Sequence, residues 1–302
     1  MRKNLIASLG LVAVAAMPQV AWSADLPVKA PPPPVVPFSW TGFYVGANAG
    51  YSWGRANTDL TETTVTTTTA TIATLAGTPI ASATVVTPVV HTASDRANVN
   101  GWLGGFQAGY NWQVGRYLWG VEGDLQFTGE RGGTSFCFPA GVPCGAATTT
   151  GAADYRLRWL GTLRGRAGVT WDRVLLYATG GLAVGDIHSD FSDGIAAGLL
   201  APAALVTVGS NTTRAGWVAG AGAESALTRN WSVKLEYLHV DLGGFGGLPT
   251  GGTTGDFAAV IGNFRTTITQ VNAFTSQFHA HYTDDIVRVG LNYRFGDSVA
   301  CY

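Results

Sequence analysis

The sequence predicts an all-β chain, an eight-stranded antiparallel up-and-down β-barrel that spans a membrane and carries long external loops. Three observations predict it. Between Asp285 and Phe295, the apolar Val287, Val289, Leu291, Tyr293 and Phe295 alternate with Arg288, Gly290, Asn292 and Arg294. Segments of this kind recur along the chain, and they follow an N-terminal stretch built like an export signal. An aromatic-rich apolar face opposite a charged face suits a strand with lipid on one side and a polar lumen on the other.

Arg2 and Lys3, the apolar run from Leu5 to Met17, and Pro18 have the layout of a secretory signal. Ala21 and Ser23 supply the small side chains that place cleavage after Ser23, so residues 1–23 are expected to be removed. No later stretch approaches the ~20 apolar residues a membrane helix needs, which leaves strands to do the spanning. The 18 Lys and Arg balance 19 Asp and Glu, so no basic excess points to nucleic acid. The 41 glycines would fit disorder, but 10 Trp, 10 Tyr and 13 Phe argue for a small barrel in which inward space is tight.

Residues 24–39 form a Pro-rich lead-in on the periplasmic side, where six prolines between Asp25 and Pro37 remove backbone donors and favour an extended chain. The barrel is expected over 40–295, with a short tail at 296–302. Its first strand, 40–54, turns Phe43, Val45, Tyr51 and Trp53 to lipid. The second, 100–112, turns out Trp102, Phe106, Tyr110 and Trp112. The third, 117–129, carries Glu122, Asp124 and Gln126 inward. In the fourth, 154–171, Tyr155, Leu157, Trp159, Leu163 and Trp171 face out and Arg156, Arg158, Arg164 and Arg166 face in. The fifth, 174–187, is apolar on both faces and its facing stays open. The sixth, seventh and eighth cover 213–227, 231–241 and 285–295. Connections after the second, fourth and sixth strands are short. Those after the first, third, fifth and seventh are long (55–98, 130–153, 188–212 and 243–282), the asymmetry of short periplasmic turns and long outer loops. The Thr-rich first loop fits either a strand hairpin extended above the membrane or a disordered tip.

Eight inward charges fall at similar depth: Glu122, Asp124, Arg164, Arg166, Glu224, Lys234, Glu236 and Arg288. Counted from the turn between their strands, and subject to strand shear, Glu122 and Asp124 are expected opposite Arg166 and Arg164. A barrel of eight strands is just wide enough for side chains to fill it, so these charges are expected to pair as a plug. Arg156 and Arg158, nearer the outer mouth, would bias any pore toward anions. Tyr117, Trp171, Trp231 and Tyr293 sit near the periplasmic strand ends as anchors in the lipid interface. Cys137 and Cys144, in a Pro- and Gly-bearing loop, are expected to form a disulfide in an oxidising compartment, and no partner is assigned to Cys301. His279 and His281 share one face at strand spacing but are read as exposed polar residues. No metal, cofactor or catalytic set is assigned, and the chain is not read as an enzyme.

The barrel strands resemble a family of small alphaproteobacterial outer-membrane surface-antigen barrels, the outer membrane immunogenic or porin family proteins. The likeness is carried by Ala24-Asp-Leu-Pro27, Trp40-Thr-Gly-Phe-Tyr-Val-Gly-Ala-Asn-Ala-Gly-Tyr51, Tyr177-Ala-Thr-Gly-Gly-Leu-Ala183 and Val287-Arg-Val-Gly-Leu-Asn-Tyr-Arg-Phe295. It covers the strands and not the loops. It implies an abundant eight-stranded outer-membrane protein with no defined catalytic site. Barrel-assembly machinery generally reads a C-terminal aromatic, and two qualify here, Phe295 and Tyr302, because seven residues follow Phe295. The expected role is structural, in the bacterial outer membrane, with lipid and lipopolysaccharide as partners and the loops open to host or phage contacts. A narrow porin for small hydrophilic solutes is the alternative, and loop-mediated binding of haem or a host surface a lesser one.

Overall fold

The computed structural model describes residues 38–138, 149–195, 204–247 and 250–295. The expected signal peptide, most of the lead-in and the tail lie outside them. Ten strands follow in order: β1 (Gly42–Thr74), β2 (Pro79–Val114), β3 (Tyr117–Thr128), β4 (Arg131–Phe138), β5 (Thr149–Trp171), β6 (Val174–Ile195), β7 (Ala204–Ala226), β8 (Trp231–Gly247), β9 (Thr250–Ile261) and β10 (Phe264–Arg294). Eight of them pair in a closed antiparallel ring, β1-β10-β8-β7-β6-β5-β3-β2, with β2 returning to β1. Closure leaves no open edge in the lipid-spanning part, which a membrane requires because no water is there to satisfy free backbone groups.

The alternation in each strand sets its two faces. On β1, Phe43, Val45 and Trp53 are exposed while Tyr44 and Ser52 are buried. The apolar outward belt runs from Phe43 to Trp53 on β1, from Tyr117 to Phe127 on β3 and from Val287 to Phe295 at the end of β10. Beyond Trp53 the outward positions become Arg55, Asn57 and Asp59, and beyond Val287 they become Asp285, Thr283 and His281. That change marks the outer limit of the lipid. The ambiguous 174–187 segment is resolved by β6: Leu175 and Tyr177 turn inward, Leu176 and Leu182 outward. Strands pack closely where only glycine fits. A Cβ on Gly105 would lie 2.1 Å from the Leu125 carbonyl oxygen, and one on Gly181 would lie 2.1 Å from that of Leu163.

Among the described residues, the long connections continue as paired strands. Every residue from Thr58 to Ile72 has a partner on β2 and another on β10, and the turn at Leu75–Thr78 is the tip. Beyond the end of β8, β9 takes over as the partner of β10. Beyond the end of β3, β4 takes over as the partner of β5. The Thr-rich, β-branched run therefore belongs to an extended sheet.

Two details correct the sequence reading. Val169, not Trp171, stands opposite Tyr117, so Glu122 faces Arg164 and Gly120 faces Arg166, a two-residue stagger of the kind barrel shear produces. Second, the β5–β6 ladder skips a residue between Leu157 and Trp159. An extra residue in one strand reverses the facing of everything beyond it. Tyr155 and Leu157 are therefore buried inside, and Arg156 and Arg158 point out of the barrel, not into its mouth.

Candidate functional site

The lumen is the candidate site, and it is built in three layers. At the turn end, Trp40 is 2% exposed and packs with Leu118, Leu175 and Ala226. Its backbone N–H donates to Gln113 Oε1 at 2.7 Å, which folds the last lead-in residues under the barrel. Phe38 packs against this group, with the Arg294 guanidinium 4.5 Å from its ring centre.

The middle layer brings together all eight charges named from the sequence. Arg164 is the hub: it donates to Glu122 at 2.5 Å, Asp124 at 2.7 Å and Glu236 at 3.1 Å. Arg288 reaches Glu236 at 2.5 Å and Asp124 at 3.0 Å. Lys234 meets Glu122 at 2.8 Å, and Arg166 meets Glu224 at 2.8 Å. Four acids and four bases balance, and all are buried. Such a set is tolerable where most remaining hydrogen-bonding positions are also filled, and here Arg166 Nε and Arg288 Nη1 are left without a partner. Tyr44 donates to Glu122 at 2.7 Å and accepts from Arg166 at 2.8 Å. Tyr177 donates to Glu236, Ser232 and Asn292 to Glu224, and Thr162 to Asp124. The Tyr177 ring also lies 4.0 Å from the Arg166 guanidinium carbon. These neutral partners were missed in the sequence, although Tyr44 and Asn292 sit at inward positions of strands whose facing was plain.

The outer layer is apolar, which the sequence reading did not anticipate. Leu103, Leu157, Leu160, Ile187, Leu238 and Ile286 fill the barrel above the charges. Tyr155 and Thr58 share a hydrogen bond of 2.8 Å among them. Within the apolar layer, Tyr282 donates to Glu130 at 2.6 Å, and Ser52 donates to Asp284. Glu130 Oε1 and Asp284 Oδ2 have no hydrogen-bond partner, and no ion pair reaches either residue among the described residues.

The remaining named residues are placed as follows. Tyr117, Trp171 and Trp231 are exposed at the turn end, and the Trp231 and Tyr293 rings are 5.1 Å apart. Phe295 closes the ring there, its N–H donating to the Phe43 carbonyl at 2.8 Å, while Tyr302 is outside the described residues. Cys137 is disulfide-bonded, and Cys144 is outside the described residues. His279 lies beside Asp59 across the β1–β10 ladder, and His281 is 3.3 Å from Asp241. Among the described residues, no group of three or more His, Cys, Asp or Glu is placed to hold a metal ion.

A closed ring of antiparallel strands with an apolar outer belt and a charged interior defines an integral β-barrel of the bacterial outer membrane. The family model for the outer membrane protein beta-barrel domain matches residues 6–295, and the chain belongs to that family. It is 33% identical over 295 residues to the 31 kDa outer-membrane immunogenic protein of Brucella melitensis, covering 95% of this chain and 99% of that one. It is 32% identical over 150 residues to the 22 kDa outer membrane protein of Rhizobium leguminosarum, across 49% of this chain and 56% of that one. Among solved structures, the attachment invasion locus protein Ail of Yersinia pestis aligns with 13% identity and a TM-score of 0.27 over 78% of this chain and 99% of that one. The outer membrane protease OmpT of Escherichia coli aligns with 12% identity and a TM-score of 0.30, over 80% and 97%.

Proposed function

We propose that this protein is a structural barrel of the cell envelope that presents its outer hairpins as surface antigen and conducts no solute. One observation carries the reading. An arginine-centred ion network with its hydrogen-bonding partners and an apolar core follow one another along the lumen axis, and a solute would have to displace both. Removing one member of a buried ion set costs several kcal/mol, so spontaneous opening is rare. The names of the Brucella relatives, outer-membrane immunogenic proteins, support the surface role. Lipid and lipopolysaccharide surround the belt, assembly machinery reads the C-terminal aromatic, and host or phage contacts fall to the hairpins.

Single-channel recording of the refolded protein in a planar bilayer, beside an Arg164→Ala variant, tests this. A silent wild type is expected. Steady discrete openings from the wild type would make the protein a narrow porin instead.

A further inference from the structure

The β-bulge on β5 does more than fill the lumen with Tyr155 and Leu157. It exports two arginines to the outer wall, and bulges re-aim side chains in this way next to binding sites. Arg156 lands directly across from Arg131 on β4, and the same outward row continues through Asn100 on β2, His188 on β6 and Asn211 on β7. Like charges directly opposite, with Cβ atoms about 5 Å apart, destabilise a sheet. Neither Arg131 nor Arg156 has an ion-pair partner among the described residues. Arg158, the bulged residue itself, is 63% exposed and only 3.7 Å from Asp186. A cleft of about 520 Å³ opens between them, and Thr128, Glu130, Arg131, Arg156, Arg158, His188 and Asn211 are among its lining residues.

Among the described residues, Asp186 is the one acid paired with an arginine of this cleft, Arg158. Asp190 is engaged by His188 at 3.1 Å, and Glu130 turns inward to Tyr282. Asp154 stands one row farther from the membrane, opposite Gly133. The height of the cleft is informative. Phe127 and Trp159, paired across the β3–β5 ladder, are the last outward aromatics there, and the arginines follow within four residues. At about 3.3 Å per residue, the guanidiniums lie within roughly 10–13 Å of that aromatic edge, the level of the headgroups. Arg55 and Arg96 extend the positive side across β1 and β2.

We propose that this outward arginine cleft binds the phosphate groups of a glycolipid in the outer leaflet. A guanidinium fork matches phosphate oxygens two at a time. One phosphate between Arg131 and Arg156 turns the facing like charges into a clamp, and Arg158 is placed to take a second phosphate or to close on the first. The wall position selects lipid over free phosphate, because the cleft opens sideways along the barrel surface at the membrane edge rather than into the lumen.

The test is native mass spectrometry of the folded protein in detergent, with bisphosphorylated lipid A and the same lipid dephosphorylated. Heat-modifiable gel migration confirms that each variant is folded. Two arginines near a membrane surface predict roughly a 10- to 30-fold loss of bisphosphorylated lipid in Arg131→Gln/Arg156→Gln. Arg131→Lys/Arg156→Lys keeps the charge without the fork, and intermediate binding is expected. Arg265→Gln, an exposed change on β10 far from the cleft, is expected to bind as wild type. Equal retention of the two lipids, or wild-type retention by the Gln pair, overturns the proposal. Complete displacement by millimolar inorganic phosphate would make the cleft a general anion site and overturn the lipid assignment.

Discussion

Between the turn end and the hairpin end, the same eight strands enclose first a layer of paired charges and then a layer of hydrocarbon. Each charge in the first layer depends on named partners: Arg164 alone serves three carboxylates. In the second layer Leu160, Leu238 and Ile286 touch whatever surrounds them, and their contacts have no direction. Both fillings exclude water, but only the ionic one fixes which strand must stand at which height. A charged layer penalises a slipped register because every partner would be lost at once, whereas an apolar layer tolerates small shifts.

Four substitutions sharpen or break that contrast, each read by urea unfolding of the protein folded in lipid vesicles. Arg164→Ala strips a hub and leaves three carboxylates short of a counter-charge, and a loss of about 3–5 kcal/mol is expected. Leu238→Ala opens a void in the apolar layer, and about 2–4 kcal/mol should be lost. If the two losses were reversed in order, the ionic layer would not be the more exacting one. Tyr155→Phe removes the bond to Thr58 and leaves a buried hydroxyl without its partner, at a cost of about 1–1.5 kcal/mol. The smallest effect has the opposite sign. Asp284 lies within the apolar layer without an ion-pair partner among the described residues, so Asp284→Asn should stabilise by about 0.5–1 kcal/mol. A loss there would reveal a counter-charge that the geometry does not contain.

The charged layer was legible in the sequence because each of its eight members sits beside at least one outward apolar residue, on a strand with clear alternation. Its pairing was legible only to within two residues. Counting from the turn ignores shear, and the two-residue stagger of β5 against β3 is a property of the closed ring rather than of either strand. The apolar layer was hidden for a different reason. Period-two reasoning separates faces only where they differ in polarity, and along 174–187 both faces are hydrocarbon. On β5 the alternation is clear but changes phase at Arg158, and nothing local in Leu157-Arg158-Trp159 announces the extra residue. The hairpins were half legible. The run of threonines and valines from Thr63 to Val90 carries strand propensity, yet the β10 partners of its β1 arm come from the far end of the chain.

The longest hairpin pairs largely with itself and with one edge of β10, and from Pro79 to Val90 its β2 arm is exposed throughout. Some 20 residues of β1 past Gly54, at about 3.3 Å each, carry its tip roughly 65 Å along the strand direction from the lipid edge. Neither the charge network nor the apolar filling reaches that far, so substitutions at the tip leave barrel assembly untouched. Residues there can therefore change without selection against folding. By the same reasoning, the turn at Leu75–Thr78 is the place where a foreign peptide, grafted into this chain, would be carried clear of the membrane and displayed.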